Sequence, residues 1–362
     1  MDFDFTDDQL ALAASASAVL AELAEPARVR RCADAGAMFD EELWRALVEQ
    51  GWLAVDTAEP DGGLGLGTVE VALLLEQVGR RVAPVPYASV MVALAACRRA
   101  DSAETVARLS SGEATACIAW NRRADTVRAV ERGSAWNVEG RSDPIAYAPS
   151  AAIAVVVAAT GDGPALFEVD LARIDRRGRE PAMDLTRPVG RLVFDATPGR
   201  RLGGSDAVDA LLDRGAAYAA AEMLGGAQHV LDLAVQYAKD RVQFGRPIGS
   251  FQAVKHRCAD MLVDVEGMRS SAYWAAWAIG ADDPDAAVAA STAKIWGSDA
   301  SKRVMSSGLQ VHGGIGFTWE HDLHLYLKRA QLDQISFGDA TFHRARLATM
   351  LRERVRRGES VV

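Results

Sequence analysis

A chain of 362 residues is too long for one small core, and its 49% hydrophobic content supplies apolar surface for two or three packed domains. Its formal charge of −9 argues against a nucleic-acid or anionic-membrane surface, since either needs a basic face to neutralise phosphate; a local basic patch for a polyanionic ligand stays open. The start MDFDFTDDQ is acidic where a secretory leader begins basic and turns apolar, and the longest apolar run, AAIAVVVAA at 151–159, is too short for a bilayer. A soluble cytoplasmic protein with no nucleic-acid or membrane partner is expected.

From residue 1 to about 112 the periodicity is helical. Thr6-x-x-Gln9 has the spacing of a capping box, Asp40 precedes EELWRALVEQ with Gly51 behind it, and TVEVALLLEQVGRR follows a glycine-rich turn. Between 113 and 203 the texture changes to short β-prone runs, TACIAW, SAWNVEG, AAIAVVVAA, ALFEVD and GRLVFD, separated by glycine, proline and charged turns. From 204 to 362 the helical period returns, with Leu224, Ala227, Leu231, Ala234 and Ala238 on one stripe and Val254, Cys258, Met261, Val265 and Met268 on another. Asp283-Pro284 starts a third helix, and a shorter tail completes a four-helix bundle. The predicted class is α+β multidomain: an N-terminal helical domain (1–112), a small β-barrel or sandwich domain (113–203) and a C-terminal four-helix bundle (204–362). Cys32, Cys97, Cys117 and Cys258 have no CxxC or metal-ligand spacing, so reduced thiols and no disulfide are expected.

Several local features suggest chemistry that their context does not support. Gly62-Gly63-Leu64-Gly65-Leu66-Gly67 lacks a preceding strand and the GxGxxG spacing, and is read as a tight turn between helices. His321 and His324 have a helical i, i+3 spacing but no third metal ligand, and His229 and His256 on long helices are read as packed. No GxSxG elbow or Cys–His arrangement carries a nucleophile. Two stretches are harder to dismiss. In YAKDRVQFGRPIGSFQAVKHRCADM (237–261) a helix ends in a Gly/Pro turn presenting Arg241, Gln243, Phe244 and Arg246 before a new helix begins at Ser250. Arginine offers a fork of donors to a phosphate and Phe244 a stacking face, while the loop glycine lets backbone approach a ligand. In GLQVHGGIGFTWEHDLHLYLKRA (308–330), Gly313, Gly314 and Gly316 break a helix where Gln310 could reach a bound group.

These two segments resemble the C-terminal signatures of the acyl-CoA dehydrogenase family, and ELWRALVEQGWLAV with DGGLGLGTVEVALLLEQVGRRVAPVPY resembles its N-terminal domain. The resemblance runs along nearly the whole chain and implies the same three-part fold. It also implies FAD as cofactor, an acyl-CoA substrate losing its α proton to a carboxylate and its β hydride to the flavin, and an electron-transferring flavoprotein as acceptor. In such proteins the flavin ring rests on the β domain of one chain while the pyrophosphate and adenine meet R-x-x-F-G and Q-x-x-G-G elements of its neighbour. Carried over, that second set is Arg241, Gln243, Phe244, Gln310, Gly313 and Gly314.

The ring-holding half departs from the family pattern. A T-E-P-G-A-G-S-D-like loop is replaced by AWNRRADTV at 119–127, and W-I-T-N by Pro144-Ile145-Ala146-Tyr147. Where members read I-Y-E-G-T, with the glutamate as base, QISFGDATFHR (334–344) has Phe337, with Asp339 two residues later. The family's other base position, a Glu-Arg at the start of the first bundle helix, has Asp213-Arg214 nearby after a shift of two residues, and Gly215 without it. Intact donors beside a missing base and altered wall imply a chain that completes FAD binding on a homologous catalytic subunit within a heterotetramer. Three other readings stay open: a homotetrameric dehydrogenase using Asp339 or Asp213 as base, a flavin enzyme of different chemistry, and a flavin-free scaffold. Asp339 itself is expected to be a solvated loop carboxylate rather than a base.

Overall fold

The computed structural model describes residues 4–123, 125–133, 135–174 and 178–360. The first three residues of the acidic start and Ala124 of the 119–127 stretch therefore lie outside the described residues. N-terminal helices, a middle β domain and a C-terminal helical domain follow one another along the chain, as the three textures predict. By contacts the chain forms two compact units, Val29–Gly67 with Pro84–Gly215, and Met1–Arg28 with Thr68–Ala83 and Ala216–Val362.

Local signals set the N-terminal helices. Helix α1 (Asp7–Leu23) opens on a complete capping box: Thr6 Oγ1 accepts the Gln9 N–H at 3.2 Å and Gln9 Oε1 accepts the Thr6 N–H at 3.0 Å. After α2 (Pro26–Asp34), the Asp40 carboxylate accepts the Leu43 N–H at 3.0 Å to cap α3 (Glu41–Glu49), and Gly51 at φ +77° turns the chain away. Helices α4 (Thr68–Arg80), α5 (Tyr87–Arg99) and α6 (Ala103–Ser110) follow. The glycine-rich segment is a tight turn: a Cβ on Gly63 would lie 2.1 Å from the Thr57 carbonyl oxygen, so side-chain-free backbone is a steric need there.

The strands of the middle domain all fall in the first unit. They are β1 (Ala116–Ala119), β2 (Val127–Arg132), β3 (Ala135–Arg141), β4 (Ile145–Ala146), β5 (Ile153–Thr160), β6 (Gly163–Asp170), β7 (Gly178–Glu180), β8 (Val189–Arg191) and β9 (Val193–Gly203). Antiparallel pairs β5–β6, β6–β9, β9–β3 and β3–β2 are joined by a parallel β2–β5 contact, so five strands close on themselves, with β1 parallel to the first half of β5. That closure selects the barrel over the sandwich. Val127, Val138, Val156, Phe167 and Val169 fill its fully buried interior. A smaller sheet orders β4–β8–β7.

Five helices carry the C-terminal segment: α7 (Ser205–Asp240), α8 (Gln252–Gly280), α9 (Ala286–His312), α10 (Leu323–Ile335) and α11 (Ala340–Arg357). The Leu224, Ala227, Leu231, Ala234, Ala238 stripe is buried throughout, but Val254 and Cys258 at the start of α8 are only half-buried. Three boundaries differ from expectation. Helix α8 begins at Gln252, because Ile248–Ser250 forms a 3₁₀ turn first. The third long helix begins at Ala286 rather than beside Pro284, because the Asp283 carboxylate accepts the Asp285 N–H at 2.8 Å and holds a turn there. The tail is two helices separated by Ser336–Asp339. Within this unit Arg329 and Glu222 form an ion pair at 2.7 Å with both side chains buried. No disulfide joins the cysteines, and no single helix among the described residues is long and apolar enough to cross a membrane.

Candidate functional site

The end of α7 and the end of α9 meet through stacked rings. Tyr237, one turn before Arg241, lies 4.6 Å from His312, two residues after Gln310, and His321 covers His312 edge-on at 4.7 Å. His312 is fixed further by a 2.8 Å bond between Nδ1 and the Gly308 carbonyl, and burial pushes its pKa down. So the two motif segments, about seventy residues apart, share one end of the bundle unit.

Each segment exposes the groups expected of it. Beyond Asp240 the chain forms a two-stranded hairpin, β10 (Val242–Gln243) and β11 (Arg246–Pro247), whose central residues Phe244 and Gly245 have φ +52° and +77°. Both positive angles suit a tight hairpin turn, but Phe244 carries a side chain where glycine or asparagine is favoured, and that ring is 92% exposed. Arg241 and Gln310 are exposed, and Arg246 stacks on Phe251 at 4.2 Å from the ring centroid. Gln243 Nε2 donates to the carbonyl of Val242 at 2.8 Å. Gly313 ends α9 at φ +64°, ψ −140°, a region open essentially only to glycine, and a Cβ on Gly313 or Gly314 would meet nothing within 4 Å. Open space over two glycines, at the end of the unit that also carries an exposed guanidinium and an exposed Gln310 amide, suits a phosphate-bearing ligand.

The positions proposed for a base are placed differently. Phe337 sits half-buried at φ +55°, and its carbonyl is held by His343 Nε2 at 2.8 Å. Asp339 is half-buried and does more than the free loop carboxylate expected: it accepts the Phe342 N–H at 2.8 Å and caps α11. Asp213 lies buried on α7 in the β-containing unit. Its neighbour Arg214 is 3.8 Å from Asp56, which Arg98 grips at 2.6 Å. Gly215 is buried as well.

The ring-facing segments are closed by their own residues. Asp143, just before β4, bonds to the loop after β1 through Asn121 and Arg122. Ile145 and Ala146 form β4, and Tyr147 is 1% exposed at φ +61°, donating its hydroxyl proton to the Val85 carbonyl at 2.8 Å. The chemistry of this donor set does not suit an isoalloxazine: Pro144 and Ala146 provide neither a stacking ring nor a hydroxyl, and the nearby carboxylate is an acceptor facing an edge whose groups, N3–H excepted, are acceptors too.

Sequence reasoning passed over three residues here. Lys294 is completely buried on α9, its Nζ donating to the Asp333 and Gln334 carbonyls at 2.8 Å each; burial pulls its pKa down to about 7, against the pull of Asp333 and Asp339. His343 is equally buried, and burial pushes its pKa down to about 4. The third is Asp143. A lone lysine in the small-residue run AAVAASTAKIW was the available signal for Lys294; nothing local marks the others. Among the described residues no group of His, Cys, Asp or Glu could hold a metal. His324 packs on Trp319 and Lys328, and His229 stacks on Tyr326, but His256 is exposed rather than packed.

Comparison with known proteins agrees with this architecture. Residues 6–104 match the acyl-CoA dehydrogenase N-terminal domain and residues 202–351 the acyl-CoA dehydrogenase C-terminal domain. The chain is 32% identical to acyl-CoA dehydrogenase IpdE2 of Mycolicibacterium smegmatis, over 90% of this chain and 93% of that one. Among solved structures it resembles the ChsE4–ChsE5 complex of Mycobacterium tuberculosis, at a TM-score of 0.91 and 32% identity over 98% of this chain and 99% of that one. It also resembles a Tcur3481–Tcur3483 steroid ACAD variant, at a TM-score of 0.89 and 32% identity over 96% and 98% of the two chains. The chain belongs to the acyl-CoA dehydrogenase family, flavin-dependent oxidoreductases that act on acyl-CoA thioesters and bind FAD.

Proposed function

We propose that this chain is the base-lacking subunit of a heterotetrameric acyl-CoA dehydrogenase, completing FAD binding on a homologous catalytic partner. The observation that carries the reading is Phe337: an aromatic ring occupies the place of the proton-accepting carboxylate, and a phenyl group has no proton-accepting atom. Bound FAD would accept the β hydride of the acyl-CoA. On this reading Arg241, Gln243 and Gln310 hold its pyrophosphate and adenine end, Phe244 lies against it, and Gly313 and Gly314 leave room for it. Asp339 and Asp213 do not serve as bases, the first being engaged as a helix cap and the second buried. Two relatives at 32% identity, one a ChsE4–ChsE5 complex and one a steroid ACAD, support a two-chain assembly and a bulky acyl group. An electron-transferring flavoprotein as acceptor belongs to the same proposal. So does the division of the chain at 112/113 and 203/204, with adenine-side and subunit contacts in 204–362.

Absorbance spectra of the chain expressed alone, and co-expressed with a homologous subunit, provide the test. The mixed complex is expected to carry about half the usual flavin per chain. Arg241→Ala in that complex should weaken FAD by roughly ten- to a hundredfold, the equivalent of one charged hydrogen bond to phosphate. One FAD per subunit with acyl-CoA turnover in the chain alone, or unchanged occupancy in Arg241→Ala, would overturn the reading.

A further inference from the structure

The loop after β1 and the segment leading into β4 are tied to each other by reciprocal hydrogen bonds. Asn121 Oδ1 accepts the Asp143 N–H at 2.7 Å, and the Asp143 carboxylate accepts the Arg122 N–H at 3.1 Å. The segment carrying Asp143 is anchored from behind. Ser142 Oγ donates to the Asp143 carbonyl at 2.8 Å and accepts the Leu192 N–H at 2.9 Å, while the Ser142 N–H donates to the Leu192 carbonyl at 2.9 Å. With Ser142 1% exposed and held on three bonds, Asp143 projects from fixed backbone toward the loop.

One atom shows that this closure is imperfect. Because the Asp143 N–H requires an acceptor, the Asn121 amide turns its oxygen that way, and its Nδ2 is left buried with no hydrogen-bond partner. Asn121 is only 6% exposed, so bulk solvent does not reach that donor. A buried unpaired donor destabilises the closed arrangement, which is therefore held shut chiefly by the two bonds to Asp143.

We propose that Asp143 is an internal latch that occupies the loop's donor and keeps this chain from holding an isoalloxazine ring of its own. The pyrimidine edge of a flavin carries acceptors at N1, O2, O4 and N5 against a single donor at N3, so a loop that seats it must present mostly free N–H groups. Here the Arg122 N–H is already engaged, and a carboxylate stands where electron-rich atoms would have to come. The latch rests on the base-lacking reading and deepens it: the chain is restricted to the adenine end of a cofactor whose ring lies on the partner.

Lumiflavin, which has the ring and lacks ribityl, phosphates and adenine, is the probe, titrated against the purified full chain with fluorescence quenching as readout. Wild-type chain should give no saturable quenching. Asp143→Ala should bind lumiflavin at least about tenfold more tightly, because it frees one N–H and removes one charge, and Asp143→Asn, which keeps an acceptor for Arg122, should gain less. Saturable binding by wild type, or no gain in Asp143→Ala, overturns the latch. If Asp143→Ala fails to fold, hydrogen exchange of wild type decides instead: a protected Arg122 amide supports the latch, and exchange at the rate of an open loop overturns it. Lumiflavin cannot reach the phosphate donors, so a failure here alongside weakened FAD in Arg241→Ala sinks the latch alone. FAD loading with turnover by the isolated chain sinks both.

Discussion

At the scale of single residues, the connection between α10 and α11 is held by side chains from the bundle interior. Lys294 takes the Asp333 and Gln334 carbonyls and His343 the Phe337 carbonyl, so the end of α10 is capped by the Lys294 amino group. That anchoring keeps Phe337 in a left-handed backbone conformation costly for an aromatic residue. It also has a consequence with pH. His343 normally would titrate near 6.5, but burial, with Lys294 and Arg346 adding to it and Asp339 opposing, pushes it to about 4. Between those values the unfolded chain takes up a proton that the folded chain refuses. This contribution to stability is therefore complete above about pH 6.5 and is lost as pH falls toward 4, by on the order of 3 kcal/mol at most. His229, pushed by burial to about 4, acts with the same sign. Melting temperatures of wild type and His343→Gln compared from pH 7 to 4 should show the shallower decline in the variant; parallel curves would remove His343 from the account.

At the scale of elements, α4 and α7 cross with their backbones nearly touching. A Cβ on Gly225 would lie 1.8 Å from the Glu76 carbonyl oxygen, and one on Gly79 1.9 Å from that of Glu222. Across that crossing Arg80 bonds to Asp232 at 2.5 Å, and α8 joins the same stretch of α4 through Arg269 and Tyr273, which bond to Glu76 at 2.8 and 2.5 Å. Alanine is the better helix former by about 1 kcal/mol, so Gly225→Ala would stabilise an isolated α7. In the folded chain the methyl group meets backbone, which cannot rotate aside, and we expect a net loss of about 1–3 kcal/mol in a urea melt. A stabilised variant would mean that the two helices do not cross this closely.

At the scale of the whole molecule, the unit that contains the bundle leaves large apolar side chains uncovered. Phe244 is 92% exposed, Phe317 71%, Trp319 68%, Val263 67% and Leu262 50%. So much exposed aromatic and aliphatic surface on one unit is the mark of a protein that assembles. Light scattering at micromolar concentration should find dimers or larger species, and Phe317→Ser should shift the distribution toward monomer without lowering the melting temperature. A wild-type chain that stays monomeric would contradict the assembly argument.

The sequence by itself determined what is coded within a few residues. The Thr6–Gln9 capping box and the Asp40 cap lie within one turn, and the Leu224-to-Ala238 stripe repeats the helix period, so neither depends on distant partners. The turn after Asp240 and the Gly313 break were legible for the same reason, since glycine at Gly245 and Gly313 suits positive φ locally, while the pairing of the two short strands and the positive φ of Phe244 were not. Asp339 had the local position of a helix cap too, but the same carboxylate invited a catalytic reading, and the bond it accepts from the Phe342 N–H shows the cap. Tertiary structure decided the rest. VRAVER, with three charged residues in six rather than a run of β-branched ones, becomes strand β2 because β3 and β5 supply its hydrogen bonds. Glu76 finds Arg269 and Tyr273 nearly two hundred residues away, and Asn121 in one loop finds Asp143 in another. Such pairings depend on which surfaces remain uncovered after the elements pack, and no periodicity or cap spacing in a linear chain carries that information.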